Sequence, residues 1–366
     1  MMNIVFSTTR QWNPGDEFIL LGTINLLQEY FEQQKDKGIK NNFYFNPIIY
    51  NRNPQIRRAR KRDFIKMIDN FLGKDFIEKF RDNSVKDRKP MDYTDLVVFA
   101  GSPEWIGRRL KKLYTEILNN KIPTIFLGLG TDSKIPLEYN NKDFGSIEKK
   151  VFEQYTKIII TRDENTLGAF KHFEFAKHLP CPALFCSKTN NKKVNVKKIA
   201  LIYSTVNAEG GNDISLETYN FILALYKELL YSYKDEYEFE FISHYIDELS
   251  EFKKDFPEEK IRYSYDSKDY LDIYSEYDLV IGCRVHGIGM CASLGIPGIM
   301  VSHDGRSKTV KGFLADRIFI DNSFLEIKEL FENVVNNIED KSQELLEHKK
   351  IVKMKYLELF NKYLNI

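Results

Sequence analysis

Short runs of β-branched and aromatic residues alternate along this chain with longer stretches whose apolar positions return at helical spacing. In the first half the strand-like runs fall at 3–7, 43–50, 96–100, 123–127 and 157–161. In the second they fall at 198–203, 237–243, 278–283, 296–301 and 317–320. Strands that alternate with amphipathic helices predict parallel sheets with crossover helices. A lysine-rich polar stretch at 187–198 reads as a link between two such units. The expectation is an α/β protein of two Rossmann-like domains facing across a cleft. One domain spans 1–190, the other 196–340, and a final helix covers 341–366. In that helix Leu345, Leu346, Val352, Tyr356, Leu359 and Phe360 recur at helical spacing, so it can pack back on the first domain.

Composition narrows the classes of function. A chain of 366 residues with 43% hydrophobic residues can bury two cores. Lys and Arg total 54 against 53 Asp and Glu, a net charge of +1, so no global field draws the protein to nucleic acid. The basic run at 57–62 reads as a solvated face. It is also the one feature that could hold the chain to the inner face of an anionic membrane. Of the four cysteines, Cys181 and Cys186 lie five positions apart and Cys283 and Cys291 eight, neither a zinc nor a redox spacing. A reduced, cytoplasmic chain with no metal site and no cofactor is expected. The N-terminus reads as a first strand and not as a signal, and the apolar runs are too short to span a bilayer.

Unusual polar residues gather where predicted strands end. Asn13-Pro14-Gly15-Asp16-Glu17, Gly101 to Glu104, Gly128 to Asp132, Arg162-Asp163, Asn207 to Gly211 and Arg284-Val285-His286 all hold such places. Ligands of open parallel sheets bind outside the carboxyl ends of the strands, so these loops predict a cleft. The richest stretch runs from Asp278 to Pro297. There Arg284 and His286 emerge from a buried strand, and Gly287 and Gly289 open a helix whose free N–H groups an anion can approach. The loop His303-Asp304-Gly305-Arg306-Ser307-Lys308 should lie beside it. Together Arg284, Arg306 and Lys308 suit a small ligand with several negative charges. Structural readings stand beside these: Arg284 in a buried ion pair, His286 as a core histidine, Arg162 paired with Asp163, and Asp16 and Glu17 serving the helix dipole.

Asn13 to Glu17, Thr161-Arg162-Asp163, Cys181-Pro182, and above all Asp278 to His286 with Leu294-Gly295-Ile296-Pro297, resemble the polysaccharide pyruvyl transferases. The resemblance implies a GT-B-like fold and transfer of a pyruvyl unit from phosphoenolpyruvate to two sugar hydroxyls, giving a ketal and phosphate. It implies donor-binding roles for Arg284 and Arg162 and a central role for His286. Many members carry a lysine in a Tyr-x-x-Lys-like context after the next strand, where this chain offers Arg306 or Lys308. His286 is expected to move protons and Asp16 to orient or deprotonate an acceptor hydroxyl, with Asn13, Glu17 and Glu104 receiving the acceptor. That acceptor is a glycan or a lipid- or nucleotide-linked sugar. A nucleotide-sugar glycosyltransferase on the same fold is the nearest rival. Such enzymes commonly hold the donor with a carboxylate early in the helix after this strand, and no Asp or Glu occurs from Leu279 to His303. A non-catalytic glycan- or phosphate-binding protein needs the same cations and is the third reading.

Overall fold

A computed structural model describes residues 2–8, 14–36, 45–51, 91–101, 105–106, 110–131, 135–140, 144–206 and 214–364. The first sheet contains β1 (Met2–Thr8), β2 (Phe45–Asn51), β3 (Leu96–Ala100), β4 (Thr124–Leu129), β5 (Thr156–Thr161) and β6 (Ala176–His178), in the order β2-β1-β3-β4-β5-β6. The second contains β7 (Lys198–Ile202), β8 (Glu238–Ile242), β9 (Ile261–Arg262), β10 (Leu279–Gly282), β11 (Gly298–Ser302) and β12 (Asp316–Phe319), in the order β12-β11-β10-β7-β8-β9. Every pairing is parallel. The second order is that of the doubly wound dinucleotide-binding sheet, and the first follows the other common doubly wound order.

Parallel neighbours need crossovers. In the first half the described helices are α1 (Pro14–Asp36), α2 (Lys111–Asn120), α3 (Ser146–Gln154) and α4 (Glu164–Phe170). In the second they are α5 (Leu216–Tyr233), α6 (Glu248–Asp255), α7 (Asp269–Ser275), α8 (Val285–Ser293) and α9 (Phe324–Asn336), followed by α10 (Ile338–Tyr363). Helices on both faces explain why β3, β4 and β10 are buried at every position and read as continuous apolar runs. Pro47 sits in β2, an edge strand among the described residues, where a missing N–H costs the ladder least.

The halves are fastened through the chain that joins them. Residues 187–197 have no regular structure, yet Ser187 N–H donates to Ser293 Oγ at 3.1 Å and Lys193 N–H to Ser342 Oγ at 2.9 Å. Buried Lys349 of α10 donates to the carbonyls of Ser187 and Ser293 at 3.0 and 2.6 Å. Farther along α10, Tyr356 Oη donates to the Pro180 carbonyl at 2.8 Å, and Lys353 pairs with Glu29 of α1 at 3.0 Å. The turn Pro182–Phe185 is a wedge. A Cβ on Gly22 of α1 would lie 1.8 Å from the Pro182 carbonyl oxygen, and one on Gly289 of α8 would lie 3.2 Å from Ala183.

Candidate active site

With all strands parallel, each sheet puts its carboxyl ends on one edge, and the order reverses between β1 and β3 in one sheet and between β7 and β10 in the other. Reversal leaves a crevice, because the flanking crossovers run to opposite faces. The residues after β5 and β10 meet across it. Arg162, 4% exposed, directly follows β5. Its guanidinium runs through space left by Gly130, where a Cβ would lie 2.1 Å from Arg162 Nε. Arg162 Nη1 comes within 2.6 Å of His286 Nε2 at the start of α8. Asp163 does not pair with it. That carboxylate caps α4, accepting from Thr166 N–H at 2.7 Å and Thr131 N–H at 3.1 Å.

Arg284 departs from the expectation of a cation free to meet a ligand. Its Nη2 donates to Glu248, and its guanidinium lies over the Tyr245 ring, 4.7 Å from the centroid. Glu248 is fully buried and also accepts from Ser243 Oγ at 2.7 Å and from the His244 and Tyr245 N–H groups at 3.2 Å each. Burial raises the Glu248 carboxyl, with Arg284 and these donors working against it. Among the described residues the Arg284 Nε, also buried, has no hydrogen-bond partner. Paired charge is what a site this dry requires.

The reading of Gly287 and Gly289 as open space is corrected. A Cβ on Gly287 would meet Ile202 Cδ1 at 2.8 Å, His244 Cε1 at 2.9 Å and Tyr274 Oη at 3.2 Å, and one on Gly289 would meet Phe313 at 2.6 Å. These glycines let α8 lie close on its own half. His244 beneath it shares a 2.7 Å hydrogen bond with Tyr274 Oη and meets Phe18 of α1 edge-on at 5.6 Å. Burial, then Arg284, pulls its imidazole down to about 3.

After β11, Asp304 and Ser307 form a capping box, and Asp304 accepts from Arg306 Nε at 2.6 Å. Arg306 faces His286 closely enough to act on its charge, whereas Lys308 is exposed. His303 has a buried imidazole, 3.6 Å from Asp304. His286 is half-buried, and burial first, then Arg162, Arg306 and His244, hold it well below the usual histidine range. Asp16 and Glu17 are buried in the first turn of α1, and Asp16 acts on Cys181 and Tyr245. Asn13, Glu104 and the run at 57–62 lie outside the described residues. Sequence reading missed Glu248, His244 and Tyr245. The loop after β8 carried the same signal as the others, polar residues directly past a predicted strand.

Among the described residues no group of three or more His, Cys, Asp or Glu is placed to hold a metal ion, and no helix is long and apolar enough to cross a membrane. Two facing parallel sheets with the site at their carboxyl edges define a GT-B-like α/β protein. Solved structures share this shape. The UDP-GlcNAc 2-epimerase of Neisseria meningitidis is 10% identical, covering 99% of this chain and 100% of its own, with a TM-score of 0.53. MnaA of S. aureus, solved with UDP, is 13% identical over 98% of each chain, with a TM-score of 0.50. At such identities the likeness is one of fold. Comparison with curated proteins gives no match. The profile of the polysaccharide pyruvyl transferase family matches residues 13–305, and the chain belongs to that family.

Proposed function

We propose that this protein transfers a pyruvyl group from phosphoenolpyruvate to two hydroxyls of a sugar in a cell-surface glycan or its precursor, forming a cyclic ketal and releasing phosphate. The observation that carries this reading is the meeting of Arg162 from the first sheet with His286 from the second, with Arg306 facing the same ring. Phosphoenolpyruvate brings a phosphate and a carboxylate, and guanidinium groups recognise both through paired N–H donors. Arg162 and Arg306 are the donor-binding pair. Arg284 stands behind them as an anchor, and the N–H groups of the first turn of α8 lie at the same edge.

The chemistry needs protons moved in both directions. The methylene carbon gains one while a sugar oxygen bonds to the adjacent carbon, and the phosphate then leaves with the electrons of its C–O bond. A second sugar oxygen closes the ketal. His286 is the imidazole beside these cations and the group that carries the protons once the donor's negative charge is in place. Asp16, at the start of α1, orients an acceptor hydroxyl.

Phosphate release from phosphoenolpyruvate in the presence of a lipid-linked or nucleotide-linked glycan tests the reading. Arg306→Ala should weaken phosphoenolpyruvate binding about ten- to hundredfold, from about 1.5–3 kcal/mol per charge-assisted bond. Phosphoenolpyruvate affinity unchanged in Arg306→Ala, or no phosphate release by wild type with any acceptor class, overturns it.

A further inference from the structure

The contact between Arg162 Nη1 and His286 Nε2, 2.6 Å long, constrains the imidazole more than an ordinary hydrogen bond would. Arginine carries five N–H donors and no acceptor. The contact is therefore a hydrogen bond only if His286 Nε2 offers its lone pair. The ring is then neutral with its proton on Nδ1, and Nε2 cannot take a proton while the guanidinium stays where it is.

From this geometry we infer that Arg162 is a positioning residue that keeps His286 neutral, and that an anion engaging Arg162 frees Nε2, so that anion binding and protonation of His286 are coupled. The identity of that anion rests on the pyruvyl-transfer reading; the coupling does not.

The groups that face His286 favour this. Arg162 comes from the end of β5, Arg306 from the loop after β11 and His244 from the loop after β8, and each, after burial itself, disfavours a charged ring. Among the described residues, the carboxylates of Glu248, Asp304 and Asp163 are engaged elsewhere, by Arg284, by Arg306 and by two backbone N–H groups in turn. In the turn that follows β6, Cys181 feels both Arg162 and Asp16 of α1, and burial pushes its thiol up. A phosphate that draws off Arg162 both vacates Nε2 and brings negative charge beside it. By linkage, whatever the anion does for the proton, the proton does equally for the anion.

The consequence is an acid present only when the donor is present. Protonated His286 gives its proton to the methylene carbon as the first sugar oxygen bonds to the neighbouring carbon. The first hydroxyl's proton departs with the phosphate. The neutral ring then takes the second hydroxyl's proton as the ketal closes, which restores its charge, so atoms and protons balance over one turnover.

Nuclear magnetic resonance of the full chain labelled at histidine nitrogen reads the tautomer directly, with His286 assigned by its loss in His286→Gln. A neutral ring protonated on Nδ1 is expected at pH 7, and in Arg162→Met the ring should titrate at a higher pH than in wild type. A ring protonated on Nε2, or on both nitrogens, overturns the inference. Calorimetry then follows phosphoenolpyruvate and, separately, sulfate at pH 7 in buffers of different ionisation enthalpy. Wild type should take up about 0.5–1 proton per anion bound and His286→Gln none, with Kd tightening by up to about tenfold for each pH unit lowered. Binding without proton uptake in wild type sinks the coupling. Sulfate bound with uptake but phosphoenolpyruvate not bound sinks the donor reading and leaves the coupling standing. Failure of both anions to bind sinks both.

Discussion

Glu248→Gln isolates the ion pair behind the site. The substitution keeps the side chain's size and one carbonyl acceptor but removes the charge that Arg284 leans on. Glu248 is fully buried and Arg284 is 5% exposed, so water cannot take the carboxylate's place. Arginine cannot shed its proton in response. The folded state must then hold an uncompensated buried cation, which costs about 3–5 kcal/mol. At about 2–4 °C per kcal/mol for a unit of this size, Tm should fall by roughly 6–20 °C. The reverse deletion is milder, because a carboxyl can protonate. Arg284→Met leaves a Glu248 whose pKa burial already raises. A carboxyl with a raised folded pKa stabilises below its unfolded pKa and loses that contribution as pH rises, so Arg284→Met should weaken as pH climbs above about 4.5. The double variant, Glu248→Leu with Arg284→Met, should recover much of the loss. Thermal and urea unfolding of the four proteins measure these losses and the recovery. A Glu248→Gln protein within about 1 kcal/mol of wild type would show that the pair is not the anchor described.

Two further outcomes follow from the packing beneath α8. Gly287→Ala should cost about 1–3 kcal/mol of stability by overpacking against Ile202 and His244, and unfolding in urea checks it. A stable Gly287→Ala protein with weakened anion binding would restore the open-space reading. His244, held at about 3, stays neutral in the folded protein while the unfolded chain binds a proton below about 6.5. Stability should therefore be complete above about pH 6.5 and fall toward pH 3 by up to about 1.4 kcal/mol per unit from this residue alone. His286 is shifted the same way and steepens the fall, whereas His244→Gln should flatten the acid limb.

The strands were legible because parallel sheets covered on both faces need unbroken apolar runs. Leu96 to Ala100 and Leu279 to Gly282 leave no other reading. β6 and β9 escaped notice because three and two residues at a sheet edge carry no period. Strand ends also pointed to the candidate residues that the structure brings together, since Arg162, Arg284, His286 and Arg306 all follow strands. What sequence could not give is partner choice. Arg162 stands next to Asp163, yet it bonds a histidine 124 positions away while Asp163 turns to backbone N–H groups. Arg284 finds its carboxylate 36 positions back, in a loop after another strand. Such pairings depend on the order of strands in the sheets and on how the two halves face one another, neither of which a local pattern encodes.

The Arg-Val-His-Gly run at 284–287 divides its labour in a way its letters conceal. Arg284 turns inward to Glu248 and Tyr245, and Gly287 is kept bare so that His244 and Tyr274 can support the first turn of α8 from below. Only His286 points across to the other half. Two of the three distinctive residues therefore hold the third in place. On the proposed mechanism, a chain could keep the whole run, and with it the fold and the stability, yet be idle if the residue after β5 were no longer arginine. In the reaction proposed here, the chemistry depends on a pair shared between the sheets, Arg162 with His286. Each half brings one member, and the two meet because the wedge at Pro182–Phe185 and the lysine at 349 pack the halves together.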